Sequence, residues 1–432
     1  MKKYQKNATS ATAPVLPEAV SVVMAELAGD VQEGLLAMAV GTGLQVMAAM
    51  MSADVEAACG PRGKHDPNRA AVRHGAGDGS VTLGGRRVPV TRPRMRAADG
   101  SGELPVDSYE LFSQTEVLGR MAMGRMLAGL STRRYPVGLE PVGQRVEAVA
   151  RSTSKSAVSR RFVAATETAL ADLLAAPLGE LDLVALMIDG VHFGEHLCVV
   201  ALGIGIDGTK YPLGLAEGST ENTAVVTDLL TGLRDRGLDT TRPIFVGIDG
   251  GKALRAAVIR VFSHPVIARC QLHKIRNVAD KLPDHLASTV TKRMRAAYHA
   301  ESALLAEAQL EALAKELERT HPGAAGSLRE GMAETLTVLR LCVSPTLART
   351  LRSTNCIESM ISIARTHSSN VKNWQNGTMA LRWCAAGMIE ARSQFRRVNG
   401  HLHLPALRTA LDAHVADETV GAVRHDEPVI AA

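Results

Sequence analysis

Two aspartates 60 residues apart sit in nearly the same setting. One lies in Met187-Ile188-Asp189-Gly190 and the other in Gly247-Ile248-Asp249-Gly250. Each follows an apolar run, 183–188 and 244–248, that reads as a buried strand. An Asp at the C-terminal end of such a strand faces the crevice where α/β sheets place ligands, and the Gly after it permits close approach. If the two strands are neighbours, the carboxylates converge, and their repulsion calls for a proton or a cation. Oxygen donors of this kind suit hard divalent cations, magnesium (or manganese) above all. Two such ions about 3.5–4 Å apart clamp the attacking and leaving oxygens of an in-line phosphoryl transfer. Asp-Gly also opens ordinary turns, which explains one occurrence more readily than two.

A third ligand is available in Glu358, within Arg352-Ser353-Thr354-Asn355-Cys356-Ile357-Glu358-Ser359. Asn355 is placed as a helix N-cap with Glu358 three residues on, close to a capping box, so capping alone also accounts for this glutamate. Ser362 and Arg365 follow four and seven residues later and share its helix face. That face is polar and cationic, as a phosphate neighbour requires. Cys270 and His273 have half of a zinc spacing. No second pair lies nearby, so Cys270 is read as packing and His273 as a neighbour of the active site, touching phosphate or orienting a carboxylate. Lys274, Arg276 and Lys281 give the same helix a basic face for DNA. Trp374, in the polar and basic loop Asn370-Val371-Lys372-Asn373-Trp374-Gln375-Asn376, is a candidate to stack on an unpaired base, or else packs on the next helix beside Trp383.

The distribution of charge points the same way. Over 432 residues the formal net charge is only +5. Yet residues 62–96 hold nine Arg or Lys against two acids, 133–161 hold seven against two, and 365–408 hold seven against Glu390. Residues 181–250 carry ten acids and four bases. An acidic centre flanked by basic segments suits an enzyme that holds cations and acts on a polyanion, because basic side chains neutralise phosphates. Arg86, Arg87, Arg92, Arg94 and Arg96 are the phosphate-contacting candidates of the first segment.

The elements that must position these residues are legible. Residues 17–58 read as helix, and 61–100 as a basic β-hairpin or arm turning at Gly84-Gly85. Residues 108–176 return to helix. Within them, 143–150 and 155–174 are separated by Ser152-Thr153-Ser154, and Lys155, Ser159, Arg160 and Arg161 open the second run. This suits a helix-turn-helix reader. From 183 the order is three strands, a helix, a strand, a helix and a short strand, so a mixed sheet with packed helices is expected. Residues 277–343 are helical and charged, 355–367 and 377–396 are two more helices, and no strong pattern follows 409.

The six cysteines form no Cys-x-x-Cys pair, so a reducing, cytoplasmic setting is expected. The basic start, Met1-Lys2-Lys3, is not followed by a signal-peptide core. Residues 34–53 are uncharged, but Gly, Thr, Gln and Ser interrupt them and acids flank them, so a buried helix is expected and not a membrane span.

Over residues 60–405 the chain resembles the Mutator-type DDE transposases of bacterial insertion sequences. The resemblance rests on Asp189-Gly190, Ile248-Asp249-Gly250 and Cys270-Gln271-Leu272-His273-Lys274-Ile275-Arg276-Asn277. It rests also on Thr354-Asn355-Cys356-Ile357-Glu358-Ser359, which starts 84 residues after Cys270, and on Gly400 to Pro405. It implies an α/β, RNase H-like mixed-sheet core interrupted by an α-helical insertion and preceded by helical DNA-binding domains. Asp189, Asp249 and Glu358 would be its metal-binding catalytic triad. It further implies cleavage and strand transfer of element ends, with terminal inverted repeats and target DNA as partners and divalent metal as the cofactor. Arg73-His74-Gly75 stands where the family usually has Arg-Asn-Gly, and Cys356 where Pro is commoner.

The expected divisions are an N-terminal helical region for oligomerisation (1–60), the arm (61–107) and a helix-turn-helix-like domain (108–180). The catalytic core (181–276 and 346–398) follows, split by the insertion (277–345), and a tail closes the chain (399–432). Leu35 to Met51 is too apolar for water and marks either a dimer or larger assembly, or packing within its own chain. Two other readings stay open: a catalytically idle DNA-binding regulator descended from such an enzyme, and an RNase H-like nuclease.

Overall fold

The computed structural model describes residues 18–64, 69–218, 220 and 222–425. The basic start at Met1 to Lys3 and the last residues of the tail lie outside them. The chain divides into two compact units, one of residues 1–125 with 130–162, the other of 126–129 with 163–432.

The first unit begins with helix α1 (Glu18–Cys59), followed by strands β1 (Ala71–Leu83), β2 (Arg86–Ala97) and β3 (Glu103–Leu104). Next come α2 (Asp107–Ser113), α3 (Glu116–Leu127), α4 (Gln144–Val149) and α5 (Lys155–Ala175), which belongs to this unit up to Phe162. β1 and β2 pair antiparallel across the turn at Gly84 and Gly85, with Val81 opposite Val88. Both glycines have positive φ, as this two-residue turn requires. The hairpin is not a free arm. Ala71 and Met95 pack with Met51, Val55 and Cys59 of α1 and with Val106 in one buried cluster. Only alternate residues of a half-buried strand need be apolar, and Arg and Gly fill many of the other positions.

The second unit is built on a five-stranded sheet of β4 (Leu183–Phe193), β5 (His196–Gly205), β6 (Lys210–Gly218), β7 (Ile244–Ile248) and β8 (Pro265–Arg269). Its order is β6-β5-β4-β7-β8. β4 pairs antiparallel with β5 and β5 with β6, while β4 with β7 and β7 with β8 are parallel. The core of β4 is buried on both faces, which explains its unbroken apolar run. Leu186 and Ile188 face one cluster, with helices α6 (Thr223–Asp235) and α7 (Lys252–Val261). Ala185 and Met187 face the other, on the opposite side of the sheet.

Helices α8 (Gln271–Ala279), α9 (Asp284–Ala297), α10 (Ala303–Glu318) and α11 (Pro322–Arg329) make a separate apolar cluster after the last strand. Short helices α12 (Met332–Thr335), α13 (Thr337–Arg340) and α14 (Pro345–Leu351) lead to α15 (Asn355–His367) and α16 (Gly377–Gln394). α15 and α16 cover the second sheet face through Ile357, Met360, Ala380 and Ala385. They approach very closely: a Cβ on Gly387 would stand 2.6 Å from Ala364 Cα.

Two expectations need correction. β4 does not end at Asp189 but continues to Phe193, hydrogen-bonded to β5. Past Asp189 only Val191 and Phe193 are buried, so the apolar run stops although the strand does not. The tail is not patternless either. α17 (Leu404–His425) buries Leu404, Leu407 and Leu411 in the core. Arg408 then donates to the Asp182 carboxylate at 2.8 Å and the Leu183 carbonyl at 2.6 Å.

Candidate active site

The parallel pairing of β4 with β7 sets Met187 opposite Gly247. Two residues further on stand Asp189, within β4, and Asp249, just past the end of β7, so the register carries the two aspartates towards each other, close enough for the charge of Asp249 to act on Asp189. Side chains alternate across a strand, and Met187 faces the cluster to which α15 contributes. Asp189 therefore points to the face that carries Glu358. Asp189 accepts from the Gly190 amide and Asp249 from the Gly251 amide, each at 2.8 Å. Gly250 between them has a φ of +114°, which an L side chain rarely adopts.

The turn after β8 ties the third carboxylate to this pair. Cys270 donates its amide to Ile248 O at 2.8 Å, and Gln271 donates to Arg352 O at 2.9 Å. One short segment thus holds the end of β7 and the start of α15 together. Thr354, 1% exposed, donates its hydroxyl to Glu358 Oε1 at 2.9 Å. The N-cap of α15 is Thr354 and Asn355 is already inside the helix. The sequence reading missed this threonine; its only signal is a position one helical turn before the glutamate.

The electrostatics record the convergence. Burial pushes the Asp189 carboxyl up, the charge of Asp249 pushes it further and Glu358 adds to this, so its pKa stands at about 6. His273 lies with Nε2 3.8 Å from Glu358 Oε1. The hydrogen-bonded Cys270 sulfur raises it to about 9 against the cost of burial, helped by Glu358 and Asp189. Burial raises the Cys270 thiol, but hydrogen bonds with His273 and Thr354 outweigh it and leave the thiol below its ordinary value. The imidazole thus faces the Glu358 and Asp189 carboxylates, which favour its protonated form. Ligand atoms of Cys270, His273 and Glu358 lie within 4.8 Å of one another, so the Cys-x-x-His pair gains Glu358 as a neighbour and, among the described residues, no second Cys or His.

The match to known sequences is broad. The family model of the Mutator family of transposases covers residues 18–398. The chain belongs to the Mutator family of transposases. It is 25% identical over 370 residues to the transposase for insertion sequence element ISRM5 of Rhizobium meliloti, covering 84% of this chain and 90% of that one. The transposase for IS6120 of Mycolicibacterium smegmatis is 28% identical over 236 residues, 53% of this chain and 72% of its own. The transposase for IS256 in transposon Tn4001 of Staphylococcus aureus is 23% identical over 339 residues, 76% and 83%.

The remaining candidate residues of this Mutator-family chain are scattered. Arg86 is 2% exposed and donates to Gly84 O, Glu140 O and the Glu147 carboxylate. Arg87 donates to Ser80, Thr82 and Ser113 O. Arg92 stacks over Tyr109 at 5.0 Å, and Arg94 pairs with Glu103. Only Arg96 of this set is fully exposed. Lys155, Ser159 and Arg160 are exposed at the start of α5, while Arg161 donates to Ser152 O at 2.7 Å. Lys274 is corrected from a DNA-facing to an interior residue: 4% exposed, it donates to Ser327 O and Glu330 O, both at 2.7 Å. Those bonds satisfy carbonyls at the end of α11. Arg276, Lys372 and Arg365 are exposed, and Lys372 donates to Ser369 O. Trp374 packs on Phe193, with ring centroids 5.0 Å apart, and edge-on to Trp383 at 6.5 Å. These contacts match the packing alternative, and the side chain remains half-buried. Among the described residues no helix is long and apolar enough to cross a membrane.

Proposed function

We infer that the chain is a metal-dependent DNA transposase that cuts and joins the ends of an insertion element. Asp189, Asp249 and Glu358 hold its divalent cations. The observation that carries this reading is the convergence of the three carboxylates, with Asp189 held up at about 6 by burial and by Asp249. Clustered carboxylates repel one another, so a bound cation is favoured among them, and the donor set is oxygen, which suits magnesium or manganese. Bound there, divalent metal would supply Lewis-acid activation of the attacking hydroxyl and charge neutralisation at the phosphoryl group.

The chain's own residues do the rest. Thr354 fixes the rotamer of Glu358. The His273 imidazolium sits where a scissile phosphate would need a positive neighbour, and it draws its charge from Cys270 and Glu358. The order β6-β5-β4-β7-β8, three antiparallel strands followed by two parallel ones, supports an RNase H-like core with α8 to α11 as its insertion. Lys155, Ser159 and Arg160 on α5 and Arg96 on β2 support a DNA-reading role for the first unit. Assembly as a dimer or larger, which would bring two element ends together, draws support from α1, where Leu35, Val46 and Met50 are exposed.

Incubating the purified protein with magnesium and the DNA ends that flank its gene tests this. Joined strands are expected. A gel shift without cutting would indicate an idle regulator, and cutting without joining a nuclease.

A further inference from the structure

Beyond the carboxylates, the second unit holds a basic trough that no residue in the reading above explains. Two cavities meet at the N-terminal end of α15. One, of about 530 Å³, is lined by Arg295, Arg349 and Arg352. The other, of about 450 Å³, is lined by Lys210, Arg349, Arg396 and Arg397. They share Arg349, Ser353 and Asn355, and neither is lined by an acidic residue. Asn355 lines both cavities and Ser359 the second, so the trough borders the first turn of α15, the turn that carries Glu358, although Glu358 itself lines neither cavity.

The state of these arginines is the second observation. Several guanidinium groups of the unit are paired: Arg255 and Arg269 with Glu334, Arg293 with Glu316, Arg329 with Glu311 and Glu318. Arg295, Arg349, Arg352, Arg396 and Arg397 form no salt bridge among the described residues. The Nε of Arg352 is buried without a hydrogen-bond partner, although a buried donor left unmade costs about 1–3 kcal/mol. Unpaired cations gathered along one groove await an anion, and their spread along a line fits a polyanion better than a single small ion.

We propose that this trough binds the phosphodiester backbone of one DNA strand and leads it past the N-terminal end of α15 to Glu358. This rests on the transposase reading, but it assigns residues from α9, α14 and the segment after α16 that the reading does not use. The insertion helix α9, through Arg295, then forms one wall of the DNA path.

The double variant Arg349→Gln/Arg396→Gln in the full-length protein tests it, with a short mixed-sequence DNA duplex and the matching single strand as probes. Each lost phosphate contact lowers the slope of log K against log salt by about 0.7–0.9, so two should lower it by roughly 1.4–1.8 and weaken binding about 10–100-fold near 0.1 M salt. The control Lys292→Gln/Arg319→Gln removes the same charge from exposed positions off the trough and should leave the slope unchanged. If the double variant melts early, Arg397→Gln alone, at an exposed position, should lower the slope by about 0.7–0.9. A wild-type slope in the trough variants, an equal loss in the control, or no DNA binding by the wild type overturns the proposal. Asp189→Asn is assayed for cleavage alongside. If it abolishes cleavage while the trough variants bind like wild type, the trough fails and the transposase reading stands. If it cuts normally, the catalytic reading fails, and the salt slopes still decide the trough.

Discussion

The Thr354 hydroxyl donates to Glu358 Oε1 at 2.9 Å from a position that is 1% exposed. That same oxygen stands 3.8 Å from His273 Nε2, so the threonine holds in place the carboxylate oxygen that meets the imidazole. Because the threonine also meets the Cys270 sulfur, it joins the turn after β8 to the helix that carries the glutamate.

Thr354→Val should therefore leave the fold near wild type but loosen Glu358, raising the magnesium concentration needed for half-maximal cleavage several-fold. Thr354→Ser should restore it. Losing one hydrogen bond to a charged group costs about 1.5–3 kcal/mol. Equal magnesium curves for wild type and Thr354→Val would remove the threonine from this role.

Metal binding should depend on pH in a defined direction. The folded-state pKa of Asp189 is raised from 3.8 to about 6. Its contribution to the stability of the metal-free protein is thus complete below about 4 and is lost as pH rises towards 6. His273, raised from 6.5 to about 9, has the same sign and loses its contribution between those values. Magnesium competes with the Asp189 proton, so its stabilising effect should grow from pH 5 to pH 7. Asp189→Asn should stabilise the metal-free protein at neutral pH by up to roughly 3 kcal/mol, since the rise from 3.8 to about 6 is worth about 1.4 kcal/mol for each pKa unit. Thermal melts with and without magnesium at the two pH values read both effects; a magnesium shift independent of pH would contradict them.

Arg86 and Lys274 should behave as structural cations. Both are buried and spend their donors on backbone carbonyls, so Arg86→Met or Lys274→Met should cost about 2–4 kcal/mol, the usual penalty for stranding buried polar partners. Denaturant unfolding measures this. Near-wild-type stability with a flattened salt dependence of DNA binding would restore both to the nucleic-acid surface.

Gly387→Val should damage the site from a distance. A Cβ there meets Ala364 Cα at 2.6 Å, and α15 must move to make room. Overpacking of this kind costs typically about 1–3 kcal/mol, and here it also displaces Glu358. Lower stability together with lower cleavage at saturating magnesium is expected. Unchanged values of both would show that the two helices can slide apart freely.

Much of this architecture is readable from residue order. The apolar runs at 183–188 and 244–248 give two adjacent parallel strands because a doubly buried strand cannot hide its composition. The pairing of Asp189 with Asp249 follows from those strands and from the Gly after each. Glu358 was harder, because a glutamate in a first helical turn is also a cap, and its approach to Asp189 and His273 comes only from the closure of the turn at Cys270 and Gln271. Basic residues were the least legible. Arg86 and Lys274 look like Arg96 and Arg276 in sequence, yet burial separates them, and burial depends on long-range packing. Arg349 and Arg396 escaped notice because they are 47 residues apart and meet only through the fold. The terminal helix was missed because its apolar face, Leu404, Leu407 and Leu411, is narrow.

The most direct test compares strand cleavage at an element end by wild type, Asp189→Asn, Asp249→Asn and Glu358→Gln in magnesium, with DNA binding measured alongside. Each variant should bind DNA about as well as wild type and lose cleavage by several powers of ten, on the order of the 10²–10³ that one transition-state donor supplies or more. Near-normal cleavage by any one of the three would remove that residue from the metal site and contradict the three-carboxylate centre.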